Sequence, residues 1–168
     1  MPLVLALESS CDETAAALID GDRAVRSSIV ASQHDLHERY AGVVPEVASR
    51  SHLEHITPVL RAACRAANVT LGDVDAVAVG HAPGLIGSLL VGVSAAKALA
   101  WSLGVPLVGV HHVAAHLHAA SLDDEPLPYP CVGLVASGGH THVYGLQDPA
   151  RTRLLAWTID DAIGEAFD

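Results

Sequence analysis

His112 and His116 stand four residues apart, just after the apolar run Val105-Pro106-Leu107-Val108-Gly109-Val110. If a helix begins there, the two imidazoles project from one face. Together they can hold a single divalent metal, provided other groups complete the shell. The chain carries 11 histidines in 168 residues, so pairs at this spacing also arise by chance. The zinc-peptidase signature would require Glu directly after the first histidine, where Val113 stands, so that mechanism's general base is missing.

Two further stretches carry groups that could do chemistry. Glu8-Ser9-Ser10-Cys11-Asp12-Glu13-Thr14 gathers carboxylates and hydroxyls in one short loop, able to meet phosphate oxygens or a phosphate-bound metal. The competing expectation is an ordinary solvated turn. Ser137-Gly138-Gly139-His140 is a tight loop whose glycines let backbone N–H groups approach a phosphate closely. A serine nucleophile at Ser137 fits poorly, because Val135 stands where the GxSxG elbow needs its first glycine.

The elements that must position these residues follow from period and turn chemistry. Apolar runs at Leu3 to Leu7, Ala15 to Ile19 and Ala24 to Ala31 predict three strands, with Asp20-Gly21-Asp22 as a turn. Apolar positions from Glu46 to Ala67, among them Val47, Ala48, His52, Ile56, Val59 and Ala63, recur with a helical period. Pro58 is expected to mark a bend or a junction between two helices, and His52 and His55 are expected on the helix surface. Strands are predicted at Asp73 to Val79 and Val105 to Val110. A small-residue helix lies between them, opening at His81-Ala82-Pro83-Gly84 and running through Leu103. The histidine helix should end near Ser121. Beyond the proline-rich stretch come strands at Cys131 to Ala136, Thr141 to Leu146 and Leu154 to Thr158, then a helix start at Asp160-Asp161. This order repeats that of Leu3 to Ala67. It implies an α/β chain with one whole lobe at residues 1–122, a connection at residues 123–130, and the opening of a duplicated second lobe at residues 131–168.

Composition excludes several classes. Acidic residues outnumber Lys and Arg by 19 to 9, the net charge is -10 and Lys97 is the sole lysine. A stand-alone nucleic-acid binder is therefore not expected, since phosphate contacts need clustered cations. Cys11, Cys64 and Cys131 form no CxxC pair, which fits a reducing cytoplasm better than a disulfide framework. No signal peptide is expected, because Met1 leads straight into a strand. The apolar stretch from Leu85 to Val110 is interrupted by Lys97, Gly104 and Pro106 and reads as a helix and a strand rather than a membrane span.

Six stretches occur in order: Glu8–Thr14, Gly42-Val-Val-Pro-Glu-Val-Ala-Ser-Arg50, Pro83-Gly-Leu-Ile-Gly-Ser-Leu-Leu-Val-Gly92, His111–His116, Ser137–Thr141 and Asp160–Asp168. Together they closely resemble the bacterial-type TsaD family, the tRNA N6-adenosine threonylcarbamoyltransferases, once named O-sialoglycoprotein endopeptidases. The resemblance implies the two-lobed fold of actin, Hsp70 and sugar kinases, each lobe RNase H-like. It also implies transfer of the threonylcarbamoyl group from threonylcarbamoyl-AMP to N6 of the adenosine beside the anticodon, in tRNAs reading codons that begin with A. By matched position His112 and His116 would be metal ligands, with iron(II) expected and zinc as the alternative. Val135, Ala136, Ser137, Gly138 and Gly139 would line the adenylate site, Asp168 would contact substrate, and Asp12 and Glu13 match acidic residues tied to activity.

The implied partners are a TsaB-like paralogue docking on the first lobe's helices, a TsaE-like ATPase, and TsaC, which makes the intermediate; no membrane is implied. Departures from the family pattern are the Val113-Ala114-Ala115 spacer between the histidines and His81-Ala82 before Pro83-Gly84. Family members are also much longer, and their third metal ligand, an aspartate, lies outside this chain. The chain alone is therefore expected to be catalytically poor or inactive. A non-catalytic interaction module and a metallopeptidase are the competing readings.

Overall fold

The computed structural model describes residues 1–21, 24–40, 42–122 and 127–167, in two compact units, Met1–His112 and Val113–Asp168. In the first unit, β1 (Leu3–Glu8) alternates Leu3, Leu5 and Leu7 inward with Val4, Ala6 and Glu8 on the other face. It pairs antiparallel with β2 (Glu13–Asp20), from Leu3 opposite Asp20 to Glu8 opposite Ala15. β3 (Val25–Ser32) extends the antiparallel side, while β4 (Ala76–Ala82) and β5 (Leu107–His111) add in parallel on the other. The order is β3-β2-β1-β4-β5, so the strand carrying the acidic loop lies at the centre of the sheet.

After the short α1 (His34–His37) comes α2 (Pro45–Ala67), a single 23-residue helix. Pro45 in its first turn has no N–H to leave unsatisfied, and Asn68 closes it in the left-handed region at φ 55°. Pro58 lies inside this helix, so it marks no junction between two helices. α3 (Ile86–Leu103) buries Ser88, Gly92, Ala96 and Ala100, a stripe of small residues four apart that brings the helix close to the sheet. Gly104, at φ 70°, caps it in a conformation that a side chain would strain. α3 is long and apolar enough to cross a membrane by length and composition, with mean hydropathy 1.5. In this fold its buried stripe belongs to the same unit as the sheet core formed by Leu5, Leu7, Val77 and Val79.

Several boundaries move from their expected places for local reasons. β4 starts at Ala76 rather than Asp73, because Leu71–Asp73 form a 3-10 turn closed by a Thr70–Asp73 capping box. β5 starts at Leu107 rather than Val105, because the Val105 N–H completes the end of α3 by donating to the Ala100 carbonyl. In the second unit β8 (Arg151–Trp157) starts before Leu154, since Asp148 Oδ1 accepts from the N–H groups of Ala150 and Arg151 and turns the hairpin early.

The second unit is an antiparallel meander of β6 (Cys131–Ala136), β7 (Thr141–Asp148) and β8, followed by α5 (Ile163–Phe167). α4 (His112–Ala119) opens at the last residue of the first unit; its Val113 and Leu117, one turn apart, are buried with Val135 and Leu146 of the meander. The strand–loop–strand–strand opening of the first unit thus recurs in the second. Residues 123–126 of the proline-rich stretch lie outside the described residues.

Candidate functional site

Of the two expectations for the stretch between β1 and β2, the solvated turn is not met: Ser9 and Ser10 belong to a held loop. Ser9 and Ser10 are buried. The Ser9 hydroxyl donates to the Ser88 carbonyl at 2.8 Å and accepts from the Gly92 N–H at 3.1 Å, so a small hydroxyl residue fits against α3 where Gly92 leaves room. The carbonyls that follow are also taken: Leu85 N–H donates to Ser10 O at 2.8 Å, and Gln33 N–H donates to Asp12 O at 3.0 Å. Asp12 is half-buried and Glu13 exposed at the start of β2. The Cys11 thiol is pushed up to about 11 by burial and by the neighbouring Asp12, Glu13 and Glu8 carboxylates, which leaves little thiolate at neutral pH.

His52, expected on the surface of α2, is fully buried. The helical period had placed it on the inward stripe, and the reason it can stay there is that both ring nitrogens find partners. Nε2 lies 3.0 Å from the Cys11 carbonyl and Nδ1 lies 2.8 Å from Thr14 Oγ1. Burial holds its pKa below the ordinary imidazole value. His55 is half-buried one helical step away, with Nδ1 donating to the Ser51 carbonyl at 2.8 Å.

His112 and His116 occupy the first and fifth positions of α4, so the i, i+4 spacing falls on a real helix. The His112 Nδ1 lies 3.3 Å from Glu8 Oε2 and 3.2 Å from the Ser10 hydroxyl. Glu8 Oε1 also accepts the Ser10 N–H at 2.5 Å. Burial raises the Glu8 carboxyl, but the hydrogen bonds from His112 and Ser10 outweigh it and hold the group below the usual carboxylate value. The Glu8 hydrogen bond raises His112 against the opposing effect of burial. A carboxylate on Nδ1 puts the imidazole proton there and the lone pair on Nε2, the arrangement that orients metal-ligating histidines. The donor chemistry of His112 therefore fits a metal ligand. Among the described residues no three His, Cys, Asp or Glu side chains gather as a metal-binding group.

Glu8 was not singled out from the sequence as a site residue. Its signal was its parity: it falls on the non-core face of β1, at the strand's C-terminal end.

In the second unit, the loop after β6 is closed by Ser137 N–H donating to His140 O at 2.8 Å and by His140 N–H donating to Ser137 Oγ at 3.0 Å. Ala136, Ser137, Gly138 and Gly139 are exposed, whereas the Val135 side chain is buried against α4. A Cβ on Gly138 or Gly139 would meet nothing within 4 Å, so the loop is open on the side a side chain would occupy. Gly164 at the start of α5 is tight: a Cβ there would stand 2.8 Å from the Gly138 nitrogen. Asp12, Glu13 and His112 belong to the first unit and the Ser137–Gly139 loop to the second. Asp168 lies outside the described residues.

A mixed five-stranded sheet with β1–β2 hairpin loop at its centre and helices packed on it defines an α/β protein of the RNase H-like class found in actin, Hsp70 and sugar kinases. The fold is similar to that of YeaZ from Pseudomonas aeruginosa, with a TM-score of 0.63 and 25% identity over 93% of this chain and 65% of that one. A second solved structure, an uncharacterized protein with similarity to peptidase YEAZ from the same organism, shares the fold with TM-score 0.63 at 23% identity, over 93% of this chain and 64% of that one. The family model for TsaD, tRNA N6-adenosine threonylcarbamoyltransferase, matches residues 24–168, and the chain belongs to that family.

Its relatives include the tRNA N6-adenosine threonylcarbamoyltransferases of Pelobacter propionicus, 57% identical over 99% of this chain and 48% of the relative, and of Symbiobacterium thermophilum, 57% identical over 99% and 49%. The chain is thus homologous to these enzymes along its whole length and spans about half of theirs.

Proposed function

We propose that this chain forms the N-terminal part of a tRNA N6-adenosine threonylcarbamoyltransferase. The enzyme moves the threonylcarbamoyl group from threonylcarbamoyl-AMP to N6 of the adenosine beside the anticodon in tRNAs reading A-starting codons, releasing AMP. Residues 1–122 are assigned to the first lobe, although α4 within them packs on the meander of the second unit, and residues 131–168 open the second lobe. The observation that carries the reading is the Glu8–His112 pair at the start of α4, because a carboxylate behind one of two histidines at i, i+4 is the build of a ligand set.

His112 and His116 hold one divalent metal, iron(II) or alternatively zinc, with a further ligand from outside this chain. When bound, the metal supplies Lewis-acid polarisation and a template for the reacting oxygens. Asp12 and Glu13 orient the adenylate from the β1–β2 loop. Val135, Ala136, Ser137, Gly138 and Gly139 line its site, with Val135 acting from the buried side and the exposed glycines leaving room for close approach, and Asp168 contacts substrate. The chain's net charge of -10 fits tRNA binding shared across an assembly rather than supplied here alone.

A TsaB-like paralogue is proposed on α2 and α3. Ser49 lies against Gly87 where the two helices meet, and beyond them Leu53 and Leu90 are each 65% exposed, beside Ile86. A TsaE-like ATPase and TsaC complete the system, in the cytoplasm. The exposed apolar residues also favour the second reading, in which this chain by itself serves only as an interaction module.

The test is the full-length enzyme with its partners, carrying His112→Ala or His116→Ala. Loss of bound metal together with a fall of at least ~10²-fold in threonylcarbamoyladenosine formation is expected. Wild-type activity in both variants would sink the transferase reading of this site.

A further inference from the structure

Three consecutive carbonyls, those of Ser10, Cys11 and Asp12, are each held by a group far away in sequence. Leu85 N–H takes the first and Gln33 N–H the third. The middle one, Cys11, accepts from His52 Nε2 at 3.0 Å, with Ser88 Oγ at 3.4 Å. His52 is thus the one side chain from α2 that grips the backbone immediately before Asp12 and Glu13.

The ring is itself held by a chain of hydrogen bonds whose direction is forced at both ends. Val44 N–H can only donate, and it lies 3.3 Å from His37 Nδ1. His37 Nε2 therefore carries the proton and donates to Gln33 Oε1 at 3.1 Å. The Gln33 amide nitrogen then faces His52 Nδ1 at 3.4 Å and the Ala48 carbonyl at 3.4 Å, donating to both. Thr14 Oγ1–H donates to the same Nδ1 at 2.8 Å. At the far end the Cys11 carbonyl can only accept, so His52 must carry its proton on Nε2. Gln33, His37, His52 and Thr14 are all buried, so reversing any link leaves a donor or acceptor unsatisfied at a cost that water cannot offset.

We propose that His52 is a positioning residue for the Asp12–Glu13 loop: locked by Thr14, Gln33 and His37 as the neutral Nε2–H tautomer, it fixes the Cys11 carbonyl and with it the backbone from which both carboxylates project. The proposal rests on the reading that Asp12 and Glu13 orient substrate. Among the described residues, the other hydrogen-bonding side chains of α2, Ser49, Ser51 and His55, bond within the helix, so His52 is the loop's side-chain anchor from α2. Misplacing an orienting group by about 1 Å costs on the order of 10²-fold in rate. His52 touches no substrate and acts only through the main chain.

Two substitutions separate the ring's two nitrogens. In His52→Gln the amide nitrogen reaches the place of Nε2 and keeps a donor for Cys11. In His52→Asn the amide group ends near the place of Nδ1, which keeps the Thr14 side and leaves Cys11 only the longer bond from Ser88 Oγ.

The full-length enzyme, assayed with its partners, should lose about 10²-fold in kcat for His52→Asn and stay within about tenfold of wild type for His52→Gln, with KM for tRNA unchanged in both. Imidazole 15N shifts of the histidine-labelled full-length protein should show His52 as the Nε2–H tautomer, and the Asp12 and Glu13 amide resonances should move in His52→Asn but little in His52→Gln. An Nδ1–H signature in the wild-type protein overturns the proposal without reference to any variant's folding. So does equal loss of kcat in the two variants, or a moved Asp12 amide with unchanged kcat. Asp12→Asn and Glu13→Gln, assayed alongside, test the underlying reading. Full activity in both would remove the loop's role, while the tautomer and amide shifts would still report whether His52 holds the backbone.

Discussion

Gly80 on β4 offers a way to move Glu8 without altering Glu8 itself. Its φ is not in the left-handed region that favours glycine, and in an open strand Ala would be favoured over Gly by about 0.5–1 kcal/mol through the smaller entropy loss on folding. Here a Cβ at position 80 would stand 3.1 Å from Glu8 Cδ and closer still to Oε2. The carboxylate would have to swing off both the His112 Nδ1, at 3.3 Å, and the Ser10 N–H, at 2.5 Å. Overpacking of this kind costs about 1–3 kcal/mol, and a hydrogen bond to a charged group contributes about 1.5–3 kcal/mol. The Glu8 side chain keeps 31% of its exposure, so water would replace part of what is lost and the lower halves of these ranges apply.

After the propensity gain is subtracted, Gly80→Ala should destabilise the first unit by roughly 2 kcal/mol. The assay is denaturant unfolding followed by a probe in the first unit, run as a cycle with Glu8→Ala. With the carboxylate gone the new methyl has room, so Gly80→Ala should then be neutral or slightly stabilising, giving a coupling of about 2 kcal/mol.

The pH dependence supplies a second reading of the same pair. The lowered Glu8 pKa contributes stability that is present above the ordinary carboxylate value and lost as pH falls through the folded one. The raised His112 pKa contributes stability that is full below the ordinary imidazole value and lost as pH rises through the folded one. The pair is one interaction, strongest between about 4.5 and 6.5, and Gly80→Ala should remove that extra stability. Equal cost of Gly80→Ala in both backgrounds, or stabilisation in the wild type, refutes the reasoning.

Other expectations follow from the same geometry. His52 has a lowered pKa, so the unfolded chain takes up its proton first as pH drops below the ordinary imidazole value, and stability falls with acidification in that window. The difference between wild-type and His52→Gln stability curves should show this slope, and parallel curves would contradict it. Cys11 is exposed, yet its raised pKa leaves about 10²-fold less thiolate than an ordinary cysteine; alkylation followed by peptide mass mapping should be slower by about that factor. Leu53→Asp or Leu90→Asp should weaken binding of a TsaB-like partner by tenfold or more in titration calorimetry, with little change in the chain's own unfolding midpoint because both side chains are exposed. Unchanged affinity would move the docking surface elsewhere.

Much of the architecture was legible in the sequence, and the reason is local. Leu3, Leu5 and Leu7 alternate because a strand's side chains do, and the inward stripe of α2 repeats because a helix turns every 3.6 residues. The i, i+4 relation of His112 and His116 needed only a helix, and the six ordered motifs carried the family. What those local rules could not reach was the fate of polar side chains. His52 lay on an apolar period and could have been a surface histidine at the stripe's edge. Its burial depends on Thr14, Gln33 and Cys11, which are 38, 19 and 41 positions away. Ser9 and Ser10 read as a solvated turn because nothing nearby in sequence announces α3, whose Ser88 accepts the Ser9 hydroxyl across 79 positions. Glu8 looked like one acid among several until the fold brought it to His112, 104 positions on. Periodicity assigns each residue to a face from its neighbours alone, whereas a buried polar group is tolerable only if distant partners complete its hydrogen bonds, and only the tertiary structure brings those partners together.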